Sequence, residues 1–117
     1  MLDSLKKLFG KGDSGGGKGV PGRRVAPKGE SAVLLEGRRY QLRNWNTEGF
    51  LFGPYTGDLT AGRRVKVELV VMDGEFKLKC PAVATITRVD GSGVDAKFYF
   101  ISPEHKKQIQ AYVAHYT

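Results

Sequence analysis

Arg63-Arg64-Val65-Lys66-Val67-Glu68-Leu69-Val70-Val71-Met72-Asp73-Gly74-Glu75-Phe76 is the stretch whose reading decides the fold of this chain. Val65, Val67, Leu69 and Val71 alternate with Lys66, Glu68 and Val70. A period of two sends successive side chains to opposite faces of a strand, so one row belongs to a core and the other to a more exposed surface. The segment therefore reads as a strand over 63–72. Asp73-Gly74 after it predicts a two-residue type I′ reversal, because both central positions of that turn need positive φ and these residue types tolerate it.

Outward from this strand, short runs rich in β-branched and aromatic residues recur between turn signals. They give strands at 31–35, 38–45 and 49–52 before it, and at 76–88 and 94–102 after it. Asp90-Gly91-Ser92-Gly93 supplies the last reversal, and Pro81, which has no N–H to give a ladder, predicts a bulge or kink inside the strand at 76–88. Ser102 then offers an N-cap, Pro103 suits the first helical position, and Glu104 faces the positive end of the helix dipole. Ile109, Tyr112, Val113 and Tyr116 form one apolar stripe, which plugs the end of a barrel or makes a dimer contact. Six strands joined by short turns, with nothing helical between them, describe an all-β antiparallel barrel or sandwich whose closure would remove exposed edges.

The chain of 117 residues fits one domain, expected over 23–117, behind an N-terminal extension over 1–22. In that extension Leu2, Leu5, Leu8 and Phe9 make a short amphipathic segment, and 10–22 is a Gly-rich basic stretch expected to be a flexible tether. The net charge of +7 is unevenly spread: up to Lys28 seven basic residues face two acidic ones, leaving twelve against ten beyond it. A chain that grips a long phosphate backbone would spread its cations over the folded surface, so no DNA or RNA partner is expected. Cys80 is the only cysteine and His105 and His115 the only histidines, which excludes an internal disulfide and any zinc spacing. No apolar run has the length of a transmembrane segment, and the expected location is the cytoplasm.

One motif stands between the second and third of these strands. Asn44-Trp45-Asn46-Thr47-Glu48-Gly49 resembles the Asp/Asn-x-Ser-x-x-Gly signature of the PilZ family, with Asn44 and Gly49 in place and Asn46 at the serine position. Upstream, Arg23-Arg24-Val25-Ala26-Pro27-Lys28 lies where that family carries Arg-x-x-x-Arg, with Lys28 at the second arginine position. Arg39 to Arg43 is a literal Arg-x-x-x-Arg but falls within a strand and next to Asn44. The resemblance, which extends from about Arg23 to Ser102, implies a six-stranded PilZ-like β-barrel with a C-terminal α-helix, a second-messenger receptor for cyclic di-GMP. It places the ligand against Arg23, Arg24, Lys28, Asn44, Asn46 and Gly49, with no cofactor, an unidentified protein partner, and a monomer or dimer. Arginine suits this ligand because its planar fork matches phosphate oxygens or guanine O6 and N7 and also stacks on the base, whereas lysine offers a point charge only. On this reading the tail folds over the ligand, and its ordering repositions the N-terminal segment.

Two other functions compete with this one. A PilZ domain without nucleotide, acting as a protein adaptor, fits Lys28 and Asn46, the two departures from the family pattern. A barrel for single-stranded nucleic acid would instead use Trp45, Phe50, Phe52 and Tyr55 beside Arg39, Arg43, Arg63 and Arg64 as a stacking surface. Catalysis finds no support in the sequence. There is no serine, histidine and carboxylate grouping, and Gly12 to Lys18 copies part of a phosphate loop with Gly19 where magnesium needs a hydroxyl and no strand before it.

Overall fold

The computed structural model describes residues 23–116; the expectations for the amphipathic segment and the tether concern residues 1–22 and lie outside them. Seven antiparallel strands and one helix follow in order: β1 (Glu30–Leu35), β2 (Arg38–Tyr40), β3 (Leu42–Trp45), β4 (Gly49–Phe52), β5 (Arg64–Asp73), β6 (Phe76–Asp90), β7 (Gly93–Phe100) and α1 (Pro103–His115). They form one sheet in the order β2-β1-β5-β6-β7-β4-β3.

The expected strand over 38–45 is thus two strands, and the reason lies at Gln41. Tyr40 pairs with Val33 of β1 at one edge of the sheet, whereas Leu42 pairs with Phe52 of β4 at the other. A single residue joins the two edges, and consecutive Cα atoms are only about 3.8 Å apart, so the sheet must curl until its edges meet. The ladder is not closed by backbone pairing. Side chains lace the seam instead: Gln41 Nε2 donates to Ser31 Oγ at 2.9 Å, and Ser31 Oγ donates to the Leu42 carbonyl at 3.3 Å.

The turns follow local chemistry. Glu36 and Gly37 both have positive φ, 52° and 78°, so the type I′ geometry occurs between β1 and β2. Between β5 and β6, Asp73 pairs with Phe76, which makes Gly74-Glu75 the loop, and of these only Gly74 has positive φ, as the first position of a type II′ turn requires. The expected Asp73-Gly74 turn is therefore shifted by one residue. Asp73 stays in the strand because its carboxylate is held there, as described below.

Pro81 also departs from expectation. It pairs with Glu68 in an unbroken register from Arg64↔Thr85 to Asp73↔Phe76. β6 runs past the end of β7, whose pairing with it starts at Val83↔Phe100, so Pro81 sits where no β7 carbonyl asks for a donor. The register shifts on β6 lie instead opposite β7, between Val83 and Ala84 and between Ile86 and Arg88.

Val65, Val67, Leu69 and Val71 are all in the core and Lys66 is exposed, as the alternation in β5 predicts, but Val70 of the other row is buried as well. Phe50, Phe52 and Trp45 are wholly buried and Tyr55 nearly so. These four aromatics are core residues, so the stacking surface required by the nucleic-acid reading is not formed. Cys80 is buried as well, and desolvation, with Glu68 nearby, pushes its thiol up to about 11, which leaves it protonated and unreactive near neutral pH.

Helix α1 begins where the sequence places it: Ser102 Oγ accepts from the His105 N–H at 3.2 Å, with Pro103 in the first turn. Its stripe packs inward through Ile109 and Tyr112. The Tyr112 ring lies 5.6 Å from Trp45 and 4.6 Å from Phe76, centroid to centroid. The hydroxyls of Tyr112 and Tyr116 both donate to Asp73 Oδ2, at 2.8 and 2.7 Å, pinning the helix to the β5–β6 hairpin. Hydrogen bonds from Tyr116 and Tyr112, and then the charge of Lys28, hold the Asp73 carboxyl below its ordinary value of 3.8.

That arrangement predicts a pH dependence. Because the folded-state pKa is the lower one, the unfolded chain binds more protons in the acid range, so this contribution is complete above about pH 5 and lost as pH falls through 3.8 and then the folded pKa. Denaturant melts of the wild type should lose stability below pH 4 more steeply than those of Asp73→Asn. Equal acid slopes would remove Asp73 as the cause.

Candidate functional site

Two backbone bonds seat the N-terminal arm on the sheet: the Val25 N–H donates to the Trp45 carbonyl and the Trp45 N–H to the Val25 carbonyl, both at 3.0 Å. This short bridge puts Arg24 beside Asn44. Arg24 Nη1 donates to Asn44 Oδ1 at 3.3 Å and to Asp95 Oδ1 at 2.7 Å, the latter a partly exposed ion pair. Nη2 stands over Gly49. A Cβ there would collide with the Ala96 carbonyl oxygen and lie 2.9 Å from Nη2, so glycine is what lets both the β7 backbone and the guanidinium approach.

Arg24, Asn44 and Gly49, widely separated in sequence, thus meet at one corner on the outer face of the sheet. Asn46 lies next to it with a different task. Its Oδ1 accepts from the backbone N–H of Glu48 at 2.8 Å and of Gly49 at 2.9 Å, while its own N–H donates to the Gly49 carbonyl at 2.9 Å. The buried Asn46 amide therefore shapes the turn from β3 into β4 that presents Gly49. Arg23 is exposed at the start of the arm.

Lys28 is not at this corner. Its backbone N–H donates to Tyr112 Oη at 2.8 Å, and its ammonium lies 5.4 Å from the centre of the Tyr116 ring, so it belongs to the cluster that holds α1. The five residues from Arg24 to Lys28 cross from one cluster to the other, and the arm over these residues is already seated.

Sequence reasoning did not single out Asp95. It lies 71 positions from Arg24, and nothing local marks it as an arginine's partner. Lys97 was missed for the same reason: it becomes a neighbour of the corner only because β7 pairs with β4 and sets it opposite Gly49. Beyond Lys97 an open groove of about 620 Å³ runs between the β3–β4 turn, the end of β7 and the first turn of α1. Among the described residues, no helix is long and apolar enough to cross a membrane.

No family model matches this chain, and no curated protein matches it in sequence. In structure it is similar to the Bacillus subtilis inhibitor of motility MotI/DgrA, a protein of PilZ-type fold, with a TM-score of 0.68 and 12% sequence identity. The match covers 80% of this chain and 48% of the other, so the chain spans about half the length of that protein. At this identity the likeness establishes a PilZ-like fold.

Proposed function

We propose that this chain is a PilZ-type receptor that binds cyclic di-GMP at the corner formed by Arg24, Asn44 and Gly49 and passes the signal to a protein partner. The observation that carries the proposal is the convergence of those three residues: the arginine of the arm and the first and last positions of the Asn-x-Asn-x-x-Gly stretch, on a PilZ-like fold. A guanidinium has five N–H donors. Asp95 and Asn44 engage Nη1, and the Nη2 edge is the one turned toward a ligand lying over Gly49. There it would fork onto a phosphodiester or onto guanine O6 and N7, with exposed Arg23 as a further cation. Because residues 24–28 are already tied down by Val25 and Lys28, binding need not order them, which favours affinity. The ordering of the tail on binding therefore does not extend to residues 24–28.

One observation favours a second reading, that of a protein adaptor without nucleotide. The Asp95 carboxylate, 2.7 Å from Arg24, already occupies the place of an anion. Titration calorimetry with cyclic di-GMP decides between them: the receptor gives saturable heat with one ligand species, and the adaptor gives none at high micromolar ligand. Lys28→Arg should leave the affinity within about twofold of wild type, because residue 28 is held at Tyr112 and Tyr116 and an arginine there does not reach the corner. A gain of tenfold or more in Lys28→Arg would contradict this placement of the arm.

A further inference from the structure

The groove beside the corner has a chemistry of its own. Lys97 and Lys106 line it together with Glu48, Tyr99, Phe100 and Pro103. Tyr99 is 58% exposed, and the Arg64 guanidinium lies 3.7 Å from its ring centre. One flat cation covers one face of a ring. The pair Arg64–Tyr99 is therefore a stiffened platform with a π-face left for a planar partner, and an aromatic base is the planar group that stacks most readily on tyrosine.

The groove is also continuous with the corner. Glu48 precedes Gly49, and Lys97 is the cross-strand partner of Gly49. Asp95, which holds Arg24, is two residues from Lys97 on the same face of β7, a separation of about 7 Å. A ligand over Gly49 thus extends into the groove without leaving the surface.

The geometry points to a guanine-nucleotide subsite in this groove, in which Tyr99 stacks the base, Glu48 accepts hydrogen bonds from the N1–H and N2 amino group of guanine, and Lys97 neutralises a phosphate. This inference rests on the receptor reading above and deepens it. It supplies the second cation that Lys28, held at Tyr116, does not provide, and it gives the choice of base to Glu48, since adenine has no donors at the corresponding N1 and C2 positions. Lys106, at the start of α1, neutralises charge from the far wall. A volume of about 620 Å³ is in the range of ordinary small-ligand sites.

The test is calorimetric titration of the full chain with cyclic di-GMP and, separately, cyclic di-AMP. The variants are Tyr99→Ala, Tyr99→Phe, Lys97→Gln, Glu48→Gln and Arg24→Ala, each checked for an unchanged melting curve. We expect Tyr99→Ala and Lys97→Gln to weaken cyclic di-GMP about tenfold, Tyr99→Phe to retain affinity, and Glu48→Gln to reduce the preference for cyclic di-GMP over cyclic di-AMP about tenfold. If Arg24→Ala abolishes binding while Tyr99→Ala and Lys97→Gln remain within twofold of wild type, the subsite is overturned and the corner stands. If the groove variants lose affinity and Arg24→Ala does not, the groove is the site and the corner reading falls. Absence of binding of either nucleotide to the wild type overturns both.

Discussion

Arg24→Ala is expected to weaken cyclic di-GMP by up to about a hundredfold while leaving the fold intact. A hydrogen bond to a charged group contributes about 1.5–3 kcal/mol, and each 1.4 kcal/mol is about a factor of ten in affinity. Among the described residues of the arm, Arg24 is the one whose guanidinium reaches both Asn44 and the space over Gly49. Its ion pair with Asp95 is partly exposed, with side chains 24% and 29% accessible, and such pairs contribute only about 0–1 kcal/mol to stability. The melting curve should therefore move little. Arg24→Lys should fall between the two, since it keeps the charge and loses the fork. Calorimetry with the three proteins checks the order, and an Arg24→Ala protein that binds as well as wild type would remove the corner from the mechanism.

The largest effect on stability is expected at Tyr112. Its side chain is 4% exposed, its ring packs on Trp45 and Phe76, and its hydroxyl both accepts from the Lys28 N–H and donates to Asp73. Truncation to alanine removes a buried ring, at a typical cost of about 3–5 kcal/mol for large aromatic side chains. Tyr112→Phe keeps the ring and loses only the two hydrogen bonds, about 1 kcal/mol each. Domains of this size are stable by about 5–15 kcal/mol, so the alanine variant should unfold at markedly lower urea and the phenylalanine variant at slightly lower urea. Equal midpoints for the two variants would mean that the hydroxyl network, and not the ring, holds α1. Since the arm is tied to this tyrosine through Lys28, the same residue links the helix to the segment that carries Arg24.

The strands were legible where one face is dry and the other wet. β5 announces itself because Val65, Val67 and Leu69 alternate with Lys66 and Glu68, and α1 because its cap and its stripe agree. What stayed hidden was non-local. No residue near Gln41 says that the chain leaves one sheet edge for the other, because that exchange follows from which strands β2 and β3 find as neighbours. Pro81 was misread because a proline disturbs a ladder only on the side where a partner needs its N–H, and the length of β7 decides that. The turn after β5 slid by one residue because two tyrosines some forty positions away hold Asp73 in the strand.

The site divides along the same line. Arg24, Asn44 and Gly49 were legible through the resemblance to the PilZ motifs, and Lys28 was assigned with Arg24 because three residues separate them in sequence. In the fold those three residues carry it across to another cluster. Asp95, Glu30 and Asp90 are each paired with an arginine and Asp73 with two tyrosines, while Lys97 and Lys106 line the groove together with the one carboxylate of Glu48.

The most direct measurement of the central claim is an amide NMR titration of the full chain with cyclic di-GMP. The account predicts saturable shifts concentrated at Arg24, Asn44 and Gly49, spreading along β7 toward Lys97 and Tyr99. Spectra unchanged at high micromolar ligand, or shifts confined to a surface remote from Gly49, would contradict it.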